Sequence, residues 1–158
     1  MKCDGNKTSV IRDISVITDD IEKLTADRGK FYLRVTGYSM YPFLTPGRDT
    51  AVLSQPENVK IYETAFFKRS NGDVVLHRIV AEHGDFYDFC GDHQYVIEKD
   101  IPKTSVIAVM REFYKGDKFI SCETVPYKIK AVFWVKTRAF RHFFNRIKIK
   151  ISRTVKRR

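Results

Sequence analysis

Seven short runs rich in β-branched and aromatic residues set the limits on what this chain can fold into. They are FYLRV (31–35), TAVLS (50–54), TAFFKR (64–69), DVVLHRIVAEH (73–83), DFYDFC (85–90), SVIAVMREFYK (105–115) and KFISCE (118–123). Between them stand turn formers: Pro46-Gly47, Ser70-Asn71-Gly72, His83-Gly84-Asp85, Gly91-Asp92 and Lys115-Gly116-Asp117. Regularly spaced short strands punctuated by Gly, Asn and Asp predict an antiparallel, mainly β domain. RSNGDVV and EHGDFY carry the residues that tight hairpins prefer.

The flanks differ in texture. Thr18-Asp19-Asp20 predicts a helix start, with a side-chain cap and acids in the first turn. Ile21, Leu24 and Ala26 would face inward and Gly29 would end this short helix. After Val125-Pro126 the residues Phe133, Phe140, Phe144, Ile147 and Ile151 recur at helical spacing, with Arg138, Arg141, Lys148 and Ser152 on other sides. This predicts a basic amphipathic helix from about 130 to 153. Residues 126–158 hold twelve Lys/Arg and no Asp/Glu, which leaves 17 basic and 19 acidic side chains in residues 1–125. The net charge of +10 therefore sits in the tail, and the expected partner of that tail is an anionic surface. Three placements are open. The helix packs its apolar stripe on the β body, or it lies in a membrane interface with Trp134 and the phenylalanines inserted. Nucleic acid ranks last, because nothing else suggests base readout. The expected organisation is an N-terminal segment (1–30), a catalytic β domain (31–125) and a basic amphipathic tail (126–158).

At 158 residues the chain suits one domain that needs no metal or disulfide support. Cys3, Cys90 and Cys122 are widely spaced and odd in number, and no CxxC or Cys/His cluster occurs. Neither a disulfide framework nor a metal site or cofactor is expected, and the thiols read as reduced. The first twenty residues lack an apolar h-region, and no uncharged apolar run reaches ~18 residues, so neither a secretory signal nor a spanning helix is expected. The expected location is cytoplasmic, peripheral on the inner face of the membrane.

VTGYSMYPFL (35–44) raises the chemical question. A serine needs a base within hydrogen-bond reach and donors for an oxyanion before it can act as a nucleophile. Ser39 stands between Gly37, which permits a tight turn or close approach of a substrate strand, and Pro42, which stiffens the exit. The candidate bases are His77, His83, His93 and His142. His83 sits in a turn and His142 in the tail, whereas His77 lies inside the aliphatic strand VVLHRIV. A strand histidine is often only structural, and the context of Ser39 has to decide.

GYSMYPFLTPG resembles the nucleophile box, G-x-S-M-x-P-x-L-x-x-G, of type I signal peptidases and the related LexA-type self-cleaving repressors. The following AVL resembles the next strand of that family, VVLHRIV its general-base box and CGDHQ its later Gly-Asp box. All occur in the family order across residues 31–122. The resemblance implies a signal-peptidase/LexA-like antiparallel β-sheet domain and a serine peptidase. With His77 where bacterial members carry lysine, it implies the Ser-His branch found in archaea, in the endoplasmic reticulum and in a sporulation-type bacterial branch. Lys68 lies in the preceding strand and is not read as the dyad lysine. Ser39 is then the nucleophile and His77 the general base. The acid that orients His77 is ranked Asp92 first, on the Gly-Asp box, then Glu98, then Asp100. Gly37, Met40 and Pro42 would form the substrate and oxyanion region. Where some relatives have a hydroxyl two residues before the serine this chain has Gly37, so backbone amides would supply the oxyanion donors.

Two features depart from the family. Gly47-Arg48-Asp49 carries an inserted arginine, and the family's usual spanning anchor is not expected here. The expected function is therefore a serine endopeptidase that cleaves a leader or signal-type peptide on the cytosolic side. The alternatives are a LexA-type regulator and a catalytically inactive binding module that uses the basic tail. The first is weakened because residues 1–30 are short for a helix-turn-helix domain and no Ala-Gly or Cys-Gly linker precedes Ser39.

Overall fold

The turn residues close the hairpins as their chemistry dictates. Gly72, Gly84 and Gly116 all take positive φ, at 91°, 55° and 60°, where a side chain would be strained. The computed structural model describes residues 29–144. Eight strands form one antiparallel sheet: β1 (Phe31–Arg34), β2 (Thr50–Ser54), β3 (Thr64–Lys68), β4 (Val74–His83), β5 (Phe86–Cys90), β6 (Glu98–Pro102), β7 (Val106–Lys115) and β8 (Lys118–Ser121). Their order is β1-β2-β7-β3-β4-β5-β6, and β8 folds back on β7. The mainly β, antiparallel expectation therefore holds. The predicted helix at 18–29 lies almost wholly outside the described residues, as do Cys3, Ile147, Lys148, Ile151 and Ser152.

Register breaks kink this sheet. β7 is irregular against β2, between Val52 and Leu53, and against β3, between Phe66 and Phe67. β4 is irregular against β5 between Ile79 and Ala81. Bulges of this kind bend strands and increase twist, so both faces become buried. One core gathers Met40, Leu44, Leu53, Phe66, Met110 and Phe113, and a second gathers Ala65, Phe67, Ile79, Tyr87 and Phe89. Phe66 and Phe67, adjacent on β3, enter opposite cores as the two-residue period requires.

β6 is the strand that the sequence pattern does not predict. EKDIP reads as a loop because it has no apolar alternation and carries charges and a proline. Those are the properties of an edge strand, where one side makes no ladder bonds and charge deters further pairing. It pairs with β5 through Phe86↔Pro102, Tyr87↔Ile101 and Phe89↔Glu98.

The C-terminal helix also departs from expectation. α1 spans Val125–Lys136, beginning before residue 130 because Pro126 sits in its first turn, where the missing N–H costs nothing. It is interrupted at Thr137, whose Oγ1 donates to Phe133 O at 2.8 Å, and the chain is helical again over residues 138–144. Its apolar stripe does not pack on the body. Ala131 is buried and Tyr127 packs against the core, whereas Ile129, Phe133, Phe140 and Phe144 are exposed. Trp134 is turned inward and donates to the backbone oxygen of Asp92 at 2.9 Å, so it is not the inserted aromatic that helical spacing suggested.

Candidate active site

Ser39 is held by the 3-10 turn Tyr38–Met40 that follows β1. Met40 and Leu44 are buried core residues at its exit, and Leu44 N donates to Met40 O at 2.9 Å. The Tyr41–Pro42 bond is cis. Gly37 has φ −99° and ψ 158°, an extended conformation open to any residue, so of its two possible roles the tight turn does not occur. Space around it is open, since an added Cβ would meet nothing within 4 Å. Asp49, past the inserted Arg48, is fully buried and accepts from Thr45 N at 2.8 Å, Arg48 Nε at 2.6 Å and Gly116 N at 3.1 Å. Burial pushes its carboxyl up, but these bonds outweigh that and hold it below its ordinary range. It ties the end of the Ser39 loop to the β7–β8 turn.

Two contacts seat the Ser39 turn against the chain after β5. His93 N donates to Ser39 O at 2.8 Å. At Gly91 an added Cβ would lie 2.7 Å from the same oxygen and 2.8 Å from Gln94 Oε1. Only glycine permits that approach, because backbone cannot give way as a flexible side chain can. Ser39 also lines a cavity of about 280 Å³ together with Val74, Val75 and Leu76, the three residues before His77. Its apolar walls include Leu33, Val35, Met40 and Phe66.

His77 is buried on β4, where Leu76 faces the first core and His77 the other side, beside Phe67 with ring centroids 6.3 Å apart. Its Nδ1 lies 2.8 Å from Glu98 Oε1. Glu98 in turn receives Arg69 Nε at 2.5 Å and Nη2 at 2.8 Å. Burial lowers the imidazole below its ordinary value, while the bond to Glu98 pulls the other way. Burial pushes the Glu98 carboxyl up, but the bonds from Arg69 and His77 prevail and keep it low. A neutral ring donating from Nδ1 to an ionised carboxylate keeps a lone pair on Nε2, the state a general base needs.

The ranking of acids is thereby corrected: the carboxylate on His77 is Glu98. Asp92 is buried against Arg78, accepting from Nε and Nη2 at 2.7 Å each. Arg78 also donates to Tyr62 O at 2.7 Å and stacks 4.5 Å from the Phe43 ring centroid. Successive β-strand residues point to opposite faces, so the group that serves Arg78 is on the wrong side to hold His77. Asp100 is exposed, and its Oδ1 accepts from His83 Nε2 at 2.9 Å. Lys68 ends β3 exposed. His93 is exposed at the edge of the Tyr41 ring, and His142 stacks on Tyr95 at 4.4 Å. Arg69 was not foreseen. It lies in the β3–β4 turn, and its only sequence signal is a cation beside a hairpin whose facing strand went unrecognised.

Cys90 and Cys122 are free and buried, and burial pushes both thiols up, Cys122 to about 12. They behave as core residues. No protein-family model and no curated protein matches this chain.

Proposed function

We propose that the protein is a serine endopeptidase of the signal-peptidase/LexA-like type, Ser-His branch, cleaving a leader or signal-type peptide. The observation that carries this reading is the Arg69–Glu98–His77 relay on the strand whose preceding residues share a cavity with Ser39. In this mechanism His77 Nε2 takes the proton from Ser39 Oγ as that oxygen attacks the scissile carbonyl carbon. Glu98 holds the ring and stabilises the imidazolium that forms. The oxyanion accepts from backbone amides, that of Ser39 among them. As the C–N bond breaks, His77 returns the proton to the leaving amine, and an ester on Ser39 remains. Water then attacks the ester, giving its proton to His77, and the carboxylic acid departs as Ser39 recovers its hydrogen.

The apolar walls of the cavity suit an apolar side chain next to the cleaved bond, and the family resemblance implies a small one. An extended peptide would lie along Val35–Gly37 and Val74–Leu76, the backbone segments that flank Ser39. A serine-directed peptidyl probe tests the reading on wild type, Ser39→Ala and His77→Ala. Labelling of wild type that disappears in both variants supports it. Equal labelling of all three, or of none, would instead favour a binding module.

A further inference from the structure

The helical segment has two faces of different character. Tyr127, Ala131, Trp134, Arg138 and Arg141 follow one another at intervals of three or four and turn toward the body. Trp134 Nε1 reaches Asp92 O, the Arg141 guanidinium lies 3.7 Å over the Trp134 ring, and Arg141 Nη2 donates to Trp134 O. The opposite face is apolar and has no partner among the described residues. Val125, Ile129 and Phe133 recur every four residues, followed by Phe140, Phe143 and Phe144, and all are between 44% and 68% exposed. Phe140 and Phe143 both pack on Phe144, with ring centroids 4.5 and 5.7 Å away respectively. Lys128, Lys130 and Lys136 are exposed on the same segment, and no acidic residue occurs after Glu123.

We propose that this face docks on an anionic lipid bilayer, with α1 and residues 138–144 lying in the interface. Aliphatic and phenyl groups flanked by lysines match an apolar interior beneath a layer of phosphates. The charge argues against a second copy of the chain as occupant, because two such faces would bring like charges together. Phenyl and aliphatic side chains offer no hydrogen bonds to base edges, which argues against nucleic acid. Among the described residues no helix is long and apolar enough to cross a membrane, so the contact is interfacial.

The orientation has a consequence, which rests on the peptidase reading. Asp92 O holds Trp134, while neighbouring Gly91 and His93 contact Ser39 O. The docked face and the Ser39 turn are therefore fixed to the same short segment, and the cleft keeps one height above the bilayer.

The test is flotation of the full chain with vesicles of phosphatidylcholine alone or mixed with phosphatidylglycerol. Binding to the mixed vesicles that weakens with salt is expected. Phe133→Ser with Phe140→Ser should reduce partitioning at least about tenfold, and Lys130→Gln with Lys136→Gln about fivefold per charge. All four positions are exposed, and unchanged circular dichroism confirms that the variants fold. No binding to mixed vesicles, equal binding to pure phosphatidylcholine, or wild-type binding by the phenylalanine variant would overturn the proposal. So would a dimer or a nucleic-acid complex that the phenylalanine variant abolishes while vesicles stay unbound. None of these readouts involves Ser39 chemistry, so this proposal and the peptidase reading fail separately.

Discussion

His77 and Arg78 are neighbours on one strand, each paired with a carboxylate, yet the two pairs do opposite things. Arg78 and Asp92 are almost completely buried, joined by two bonds, and backed by Tyr62 O and the Phe43 ring. His77 is as deeply buried, but its partner Glu98 sits on an edge strand with its side chain 21% exposed. The first pair is locked between core elements and carries structure. The second joins a neutral, titratable ring to a carboxylate at the margin of the sheet. One residue step along a β-strand separates them.

The sharpest break in this comparison is His77→Ala. If the ring is the base, turnover of a cleavable peptide should fall about 10⁴-fold. The same change should leave the Arg78–Asp92 pair and the cooperative unfolding transition in place.

Asp92→Ala should give the reverse pattern. It strands a buried guanidinium and should cost about 3–5 kcal/mol of stability in denaturant unfolding, an effect typical of broken buried pairs. A small loss there would mean that the pair carries less structure than its burial implies.

Glu98→Gln sharpens the contrast through pH. Burial puts His77 below the ordinary histidine value, so activity in the wild type should rise with pH through a midpoint below about 6.5. The carboxylate favours the protonated ring, so removing it should move that midpoint lower still while turnover drops about 10²–10⁴-fold. A midpoint that rises or stays put would place the controlling carboxylate elsewhere. Stability follows the same sign. His77 and Glu98 both bind protons more readily in the unfolded chain, so stability should be lost as pH falls below about 6.5 and then through the carboxylate range.

The smallest expected effect comes from Gly91→Ala. Its Cβ would press on Ser39 O, a backbone atom, at 2.7 Å, for an overpacking cost of about 1–3 kcal/mol. On the peptidase reading, labelling of Ser39 should fall more than stability does, because the displaced group is the turn that carries Ser39.

Much of the fold was legible because its signals are local. Asn71-Gly72 and Gly116-Asp117 announce their turns, and apolar runs such as TAVLS and SVIAVM announce strands wherever they pair. Ser39, boxed by Gly37 and Pro42, and His77, inside VVLHRIV, are ambiguous on local context, and only the resemblance of both boxes to one family singles them out. Tertiary structure alone decided three further points. EKDIP became a strand because β5 offered it an edge, and a sequence without apolar alternation cannot signal such pairing. Through that pairing Glu98, not Asp92, reached His77, since carboxylate identity depends on the face to which each strand turns its side chains. The C-terminal helix turned Trp134 and its arginines inward and its phenylalanines outward. Helical periodicity states only that two faces exist, and which one the body covers is set by the partners waiting there, among them Asp92 O.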